Sequence, residues 1–466
     1  MDRRKAVSAP SVGQSPPADR RTGGDTIFAL SSGRPPAGVA VVRVSGGAVR
    51  LALATMVGVV PEARRATVRS IRSGDAEVLD RGLLLFFPGP NSVTGEDVAE
   101  LHLHGGPAVV AAVLEALRTV PGLRPAEAGE FTRRAFEHGR LDLTQVEGLA
   151  DLIGAETDVQ RRRALRQADG ALRTLYEGWR ERLIRARALI EADLDFADED
   201  DIPASVAGEA LATARAIGAE IGAHVADTRG ERLREGADVV VLGAPNAGKS
   251  SLINAIAKRD VAIVAPEPGT TRDLIEVRLD LDGYPVTLVD TAGLRTADGE
   301  VEREGIRRAT RRAGTADVVV WLSDLTAGAG AGSVLPPALS QEVVRVGTKI
   351  DLIDSDSERS RLAAEFDVLT SVASGEGIRA LLDVIARRVS AILTPGDSPL
   401  MTRERHRAAL MAAGEAIARA TAGGVRPLEL VAEDLRQAGD ALGKITGRID
   451  VEDLLDVIFC DFCIGK

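Results

Sequence analysis

Apolar positions fall into three rhythms along the chain. Near the start, "GVAVVRVSG" (Gly38–Gly46) and "GLLLFFPGP" (Gly82–Pro90) are short apolar runs closed by turn residues, and they read as strands. "VAELHLHGGP" alternates with period two and breaks at Gly105-Gly106-Pro107, after which "AVVAAVLEALRTV" carries a helical period. From about Leu141 to Arg234 the apolar residues recur every three or four positions with charges between them. That spacing predicts helix throughout, interrupted only by "DEDDIP" (Asp198–Pro203). From Gly236 to about Leu393 strand and helix patterns alternate, as a mainly parallel α/β sheet requires. "TPGDSP" (Thr394–Pro399) then marks a linker, and the helical rhythm returns to the end. Helical stretches on both sides of an α/β stretch predict one discontinuous helical domain with an inserted domain.

Composition narrows the picture. The 466 residues are 45% hydrophobic, enough for about three cores. No apolar run approaches the roughly 20 residues of a membrane span, so no membrane partner is expected. Two cysteines exclude a disulfide scaffold and suit a cytoplasmic protein. A net charge of −11 excludes coating of nucleic acid by bulk electrostatics, leaving local basic clusters for any RNA. Two such clusters, Arg161–Arg163 and Arg307, Arg308, Arg311 and Arg312, read as solvated helix faces. His102 and His104 share a strand face and read as hydrogen-bonded histidines rather than a metal pair. Residues 1–24 are rich in Pro, Ser, Gly and Arg, lack the apolar core of an export signal, and read as a disordered tail.

The most specific chemistry lies in "VVVLGAPNAGKSSLINAI". A strand, Asp238–Leu242, runs into Gly243-x-x-x-x-Gly248-Lys249-Ser250 and a helix follows, the context a phosphate-binding loop needs. Backbone N–H groups there crowd phosphates at a helix N-terminus, Lys249 reaches the outer phosphates, and the Ser250 hydroxyl binds Mg²⁺. In "PGTTRD" (Pro268–Asp273), Thr271 is the second Mg²⁺ hydroxyl. "DTAG" (Asp290–Gly293) supplies Asp290 toward the metal through water, and the Gly293 N–H toward the terminal phosphate. "TKID" (Thr348–Asp351) supplies Asp351 to the N1–H and amino group of guanine, a donor pair adenine lacks. These four motifs in order predict a GTPase. The GTP-binding set is Asn246, Ala247, Gly248, Lys249, Ser250, Ser251, Thr270, Thr271, Asp290, Gly293, Thr348, Lys349 and Asp351. Leu294 stands where Ras-like proteins place a water-orienting glutamine. Hydrolysis must therefore use a monovalent cation, a residue from elsewhere, or a partner, and Glu302 is a carboxylate on the following segment.

Cys460 and Cys463 both fall in the last seven residues, ahead of the closing "FCIGK". Lys466 argues against a prenyl box, and two thiolates fill only half a zinc site. A tail that folds back into an upstream pocket is the third reading.

Together "DTIFAL", "VVRVSG", "PGPNSVTGEDVAELHLHGGP", "EAGEFTRRAFEHGRLDLTQVEGLADLI", the GTPase motifs and "FCIGK" resemble the tRNA modification GTPase family MnmE, also called TrmE, from about Asp25 to Lys466. The resemblance implies a multidomain α/β protein. Its parts would be an N-terminal α+β folate-binding and dimerisation domain (25–139), a discontinuous helical domain (140–234 and 395–466) and an inserted Ras-like P-loop G domain (235–394). It implies a homodimer that acts with a flavin-dependent partner of the MnmG (GidA) type on wobble uridine of certain tRNAs. The one-carbon donor would be 5-formyltetrahydrofolate or a related tetrahydrofolate. Carried over by position, folate contacts fall on Arg43, Glu100, Arg140, where the family usually has Lys, and Lys466. A K⁺ site falls on Asn246 with backbone oxygens of Ala265, Glu267 and Thr270; Glu302 positions the attacking water, and Cys463 lies beside the folate with a chemical or a packing role. A regulatory GTPase whose flanking domains only bind RNA or protein is the competing reading. So is a folate-dependent transferase with a GTPase merely attached.

Overall fold

The computed structural model describes residues 25–195, 206–244, 246–263, 276–290, 314–327, 342–394, 396, 398–423, 426–449, 455, 458–459, 462 and 464–465. The chain divides into two compact units, residues 1–141 with 454–466, and residues 142–453.

The first unit runs β1 (Thr26–Leu30), β2 (Ala37–Ser45), α1 (Val49–Val57), β3 (Thr67–Arg72), β4 (Val78–Phe87), β5 (Val98–Gly105), α2 (Pro107–Arg118), β6 (Leu123–Pro125) and α3 (Glu130–Glu137). Its sheet has the order β3-β4-β5-β2-β1-β6. The period-two pattern sorts the faces. Ala40, Val42, Val44, Leu84, Leu101 and Leu103 pack with Leu53, Val113 and Leu117 of α1 and α2. Their alternates, Val39, Val41 and Arg43 on β2 and Glu100, His102 and His104 on β5, therefore lie on the opposite face, where Phe131 of α3 packs beside Ile27 and Ala29 of β1. The helix α2 begins where the strand pattern breaks because Pro107 fits its first turn after the extended Gly106.

The tail belongs to this unit. Ile464 bridges Ala128, and the Ser31 hydroxyl donates to the Gly465 carbonyl at 2.7 Å. Gly465 has φ +98°, and a Cβ there would lie 2.1 Å from the Leu30 oxygen, so only glycine fits.

The second unit opens with five helices, α4 (Leu143–Ile153), α5 (Asp158–Ala168), α6 (Ala171–Asp195), α7 (Val206–Ala226) and α8 (Arg229–Glu235). It continues β7 (Ala237–Gly243), α9 (Lys249–Ala257), β8 (Glu276–Leu281), β9 (Tyr284–Asp290), β10 (Val318–Asp324), β11 (Glu342–Thr348), α10 (Asp356–Glu365), β12 (Val368–Thr370) and α11 (Ile378–Leu393). Two helices close it, α12 (Glu404–Ala420) and α13 (Leu428–Thr446). The sheet order is β12-β11-β10-β7-β9-β8, parallel except for the β8–β9 hairpin. The strands β7 and β10 are near-continuous apolar runs because both their faces are largely covered, whereas β11 leaves Glu342 and Arg345 exposed. Helices α6, α7, α12 and α13 share a separate apolar core.

The helical stretch after Leu141 is more broken than its rhythm predicts. It stops before Thr157, whose side chain forms a capping box with Gln160, at Gly170, which has φ +92°, and at Asp227-Thr228 between α7 and α8. Apolar spacing continues across the first two of these breaks, so periodicity alone hides them. "DEDDIP" and residues 1–24 lie outside the described residues.

A half-buried histidine packed on the buried Tyr176 is expected to give the helical core a pH dependence. Tyr176 stacks edge-on against His224 and shares a 3.2 Å hydrogen bond with its Nε2. Burial pushes the His224 pKa from 6.5 down to about 4. Between those values the unfolded chain binds a proton that the folded chain refuses, so stability falls as pH drops from 6.5 toward 4. Urea midpoints across that range are expected to fall, with a shallower slope in His224→Gln; an unchanged slope would remove His224 as a cause.

Candidate functional site

The strand β7 delivers the chain to Gly243, where a Cβ would lie 2.5 Å from the Leu322 oxygen of β10. The loop then turns through Asn246 (φ +67°) and Gly248 (φ +93°), and Gly248 caps α9. Such left-handed steps turn successive N–H groups toward one concavity, an anion cradle at a helix N-terminus. Ala247 is buried, while Ser250 and Ser251 follow Lys249 in the first turn of α9. The Lys249 ammonium spans the loop, donating to the carbonyls of Gly243 at 2.8 Å and Ala244 at 2.9 Å. A cation held at the mouth of an N–H cradle fits a polyphosphate. Asp290 ends β9 paired with Val241 of β7, which places its backbone beside the loop.

The guanine motif is tied to that loop. Thr348 is 6% exposed, and its hydroxyl donates to the Ala247 carbonyl at 3.0 Å, sharing the proton with the Ser323 carbonyl at 3.2 Å. Lys349 takes φ +64° and pairs with Asp324 at 2.5 Å. Burial alone would raise the Asp324 pKa, but Lys349 and Thr326 hold it below the ordinary carboxylate value. Asp351 lies exposed in the single turn Ile350–Leu352. Thr348→Val keeps the shape and strips one shared bond, worth about 1 kcal/mol. GTP affinity is expected to fall about fivefold to tenfold, read by calorimetry, whereas Thr348→Asn should keep it; equal affinity in Thr348→Val would show that the tie carries nothing.

Sequence reasoning missed the loop after β12. Thr348 pairs in register with Thr370, so residues 371–377 follow a strand end beside the guanine motif. Ser371 is fully buried, accepts from the Ser374 N–H at 3.1 Å, and starts a turn closed by Gly377, where a Cβ would lie 1.8 Å from the Leu369 oxygen. The signal was present as "TSVASGEG", a Ser/Gly cluster after a strand.

In the first unit Arg43 and Glu100 sit opposite each other in register. The guanidinium donates twice to Glu100 Oε1, at 2.9 and 3.1 Å, and lies 5.7 Å from the Phe131 ring centre. Their side chains are 23% and 18% exposed, a half-buried cation and carboxylate that suit a ligand carrying both amide-type and acidic groups. Arg140 follows α3 with an exposed side chain. His102 bonds Glu100 at 3.3 Å and His104 bonds Asp80 at 2.8 Å, so each histidine has its own carboxylate, as the sequence reading expected. Unforeseen was Arg134, almost fully buried between Asp25, Glu96 and Glu130. Burial alone would lower its pKa, but Glu96 and Glu130 raise it.

One expectation fails. Arg161 and Arg162 are exposed and pair with Asp158, but the Arg163 side chain is only 10% exposed, pairs with Asp151 and donates to the Gly230 carbonyl. It faces the packed side of α5 rather than solvent. The other arginine cluster, Arg307 to Arg312, lies outside the described residues, as do Glu302, Ala265, Glu267, Thr270, Thr271, Gly293, Cys460, Cys463 and Lys466.

Sequence profiles of two families match the chain: the MnmE helical domain over residues 143–463, and the GTP-binding protein TrmE N-terminus over residues 26–140. Among curated proteins, the tRNA modification GTPase MnmE of Mesorhizobium japonicum is 52% identical, covering 95% of this chain and 99% of its own. That of Rhizobium etli is also 52% identical over the same shares. Among solved structures, the G domain of the T. maritima FeoB iron transporter is 26% identical, covering 33% of this chain and 98% of its own, with a TM-score of 0.22.

Proposed function

The chain belongs to the tRNA modification GTPase family MnmE, and from that premise we propose that its GTP turnover drives addition of a carboxymethylaminomethyl-type group to C5 of wobble uridine in certain tRNAs. The phosphate loop from Asn246 to Ser251 and the motif from Thr348 to Asp351 bind the nucleotide. Ser250, Thr271 and Asp290 serve Mg²⁺; Asn246 and the 264–270 backbone serve K⁺, which when bound supplies a fixed positive charge in place of an arginine finger. Glu302 orients the attacking water. Arg43, Glu100, Arg140 and Lys466 hold a tetrahydrofolate, which when bound supplies the one-carbon unit. A flavin-dependent partner of the MnmG type completes the chemistry in the cytoplasm.

The observation that carries this reading is the return of the C-terminal tail to the unit that contains Arg43 and Glu100, anchored at Ile464 and Gly465. A GTPase acting only as a switch has no use for such an anchor. The exposed part of this sheet face, with Val39 57% exposed, supports a homodimer. The five-part division at residues 24, 139, 234 and 394 is part of the same reading.

Mass spectrometry of tRNA nucleosides from a strain lacking the gene tests it. The wobble-uridine modification is expected to vanish, to return with the wild-type chain, and to stay absent when the last four residues are deleted. An unchanged nucleoside profile would overturn the proposal in favour of a regulatory GTPase.

A further inference from the structure

The motif "QVEGLADLI" (Gln145–Ile153) contains two acids, Glu147 and Asp151, that no step above uses. Four residues apart on α4, they share one helix face. Their side chains are only 5% and 9% exposed. Asp151 faces three arginines. Its Oδ1 accepts from Arg403 at 2.7 Å and from Arg234 at 3.3 Å, and its Oδ2 accepts from Arg163 at 3.1 Å.

The positions of these arginines matter. Arg234 is in the last turn of α8, just before β7 starts the sheet. Arg403 caps α12, the first helix after the sheet's last helix, α11. One carboxylate therefore holds the chain where it enters the GTP-binding sheet and where it leaves. Glu147 adds a grip on the exit, through Arg405 at 2.6 Å and His406 at 2.8 Å. Entry and exit also touch each other: Arg229 donates to the Thr394 carbonyl at 2.8 Å, Arg407 pairs with Glu231 at 2.7 Å, and a Cβ on Gly230 would lie 2.0 Å from the Met401 oxygen.

A second tie reaches the sheet directly. The Val159 N–H of α5 donates to the Gly283 carbonyl in the β8–β9 turn at 3.2 Å, and Glu156 pairs with Arg278 of β8 at 3.0 Å. The Gln160 amide donates to the Arg234 carbonyl at 3.1 Å, joining this contact to the first. The strand β8 is the edge strand of the GTP-binding sheet, paired only with β9 among the described strands. Removing the shared acid leaves the largely covered Arg163 and Arg403 side chains, 10% and 18% exposed, without their carboxylate and frees the more exposed Arg234.

We propose that Asp151 is a positioning residue that fixes the orientation of the GTP-binding sheet on the helices by clamping both chain crossings, and that it couples GTP turnover to the rest of the protein. The clamp stands on contacts alone; only the last clause rests on the function proposed above.

Full-length Asp151→Asn, Asp151→Glu and the double variant Arg234→Gln/Arg403→Gln test it. Hydrogen exchange, GTP hydrolysis and tRNA nucleoside content are measured for each. Asp151→Asn is expected to raise exchange in both 229–235 and 403–407, to keep GTP hydrolysis within about threefold, and to lower the modified nucleoside at least about tenfold, a coupling lost of the usual allosteric size. The double variant should do the same, adding Asp151→Asn to it should change little more, and Asp151→Glu should restore most of the nucleoside. Loosening at one crossing only, or at neither, overturns the clamp. Hydrolysis that falls in step with modification overturns the coupling, leaving a merely structural acid. If the wild-type chain itself makes no modified nucleoside, the proposed function fails, while the exchange data still judge the clamp.

Discussion

Lys249→Ala is expected to lower kcat/KM for GTP by at least about 10³-fold, since losing one charge-stabilising donor alone typically costs 10²–10³ in turnover. The ammonium donates to two carbonyls of its own loop, so it is held at the mouth of the cradle before any phosphate arrives. Alanine keeps the N–H groups of the loop and of α9, which leaves part of the binding and little of the charge stabilisation. The loss should therefore appear more in kcat than in KM. Both of these contacts stay within one surface loop of the G-domain sheet, and the melting temperature is expected to move far less than turnover, by about 2 °C or less. Phosphate release and nucleotide affinity measured side by side decide it. Hydrolysis above a tenth of wild type would remove Lys249 from its assigned role. In the tRNA assay the same variant separates the proposed function from a folate transferase with an idle GTPase, which would keep modifying tRNA.

The second large effect is expected at the other end of the chain. Gly465→Val forces a β-branched residue into φ +98° and drives its Cβ to 2.1 Å from the Leu30 oxygen. The tail must then leave the end of β1, breaking the Ser31–Gly465 bond and the Ile464–Ala128 bridge. Affinity for 5-formyltetrahydrofolate should fall at least about tenfold, roughly the worth of one lost charge-assisted contact. GTP hydrolysis should stay within about twofold, since the phosphate loop belongs to the other compact unit. Calorimetry with the folate and a phosphate-release assay read the two arms. Unchanged folate affinity would exclude Lys466 from the site.

The phosphate loop was legible because everything it needs is contiguous. Gly243, Gly248 and Lys249 act through backbone dihedrals and a helix start that adjacent residues dictate. Alternation along β5 likewise put His102 and His104 on one face before any partner strand was known, whereas the placing of Arg43 opposite Glu100 needed the pairing of β2 with β5. Thr348 shows the limit of such reading. Its place in a guanine motif is a local fact, but its bond to Ala247 spans 101 residues and depends on β11 and β7 flanking β10.

The arginines make the same point from the other side. Arg161, Arg162 and Arg163 are consecutive and chemically identical, yet two meet water and the third is largely covered and pairs with Asp151. Helical periodicity gives each a direction on α5, but only the packing of α4, α8 and α12 around it says which direction is inside. Local dihedral preference and the period of apolar residues are short-range quantities, and the sequence by itself determined what rests on them: element types, the nucleotide loop, and the motifs of the family. Which charges pair is settled by elements up to hundreds of residues apart meeting in a low-dielectric interior. The tertiary structure alone decided the Asp151 clamp, the Thr348 tie and the anchoring of the tail.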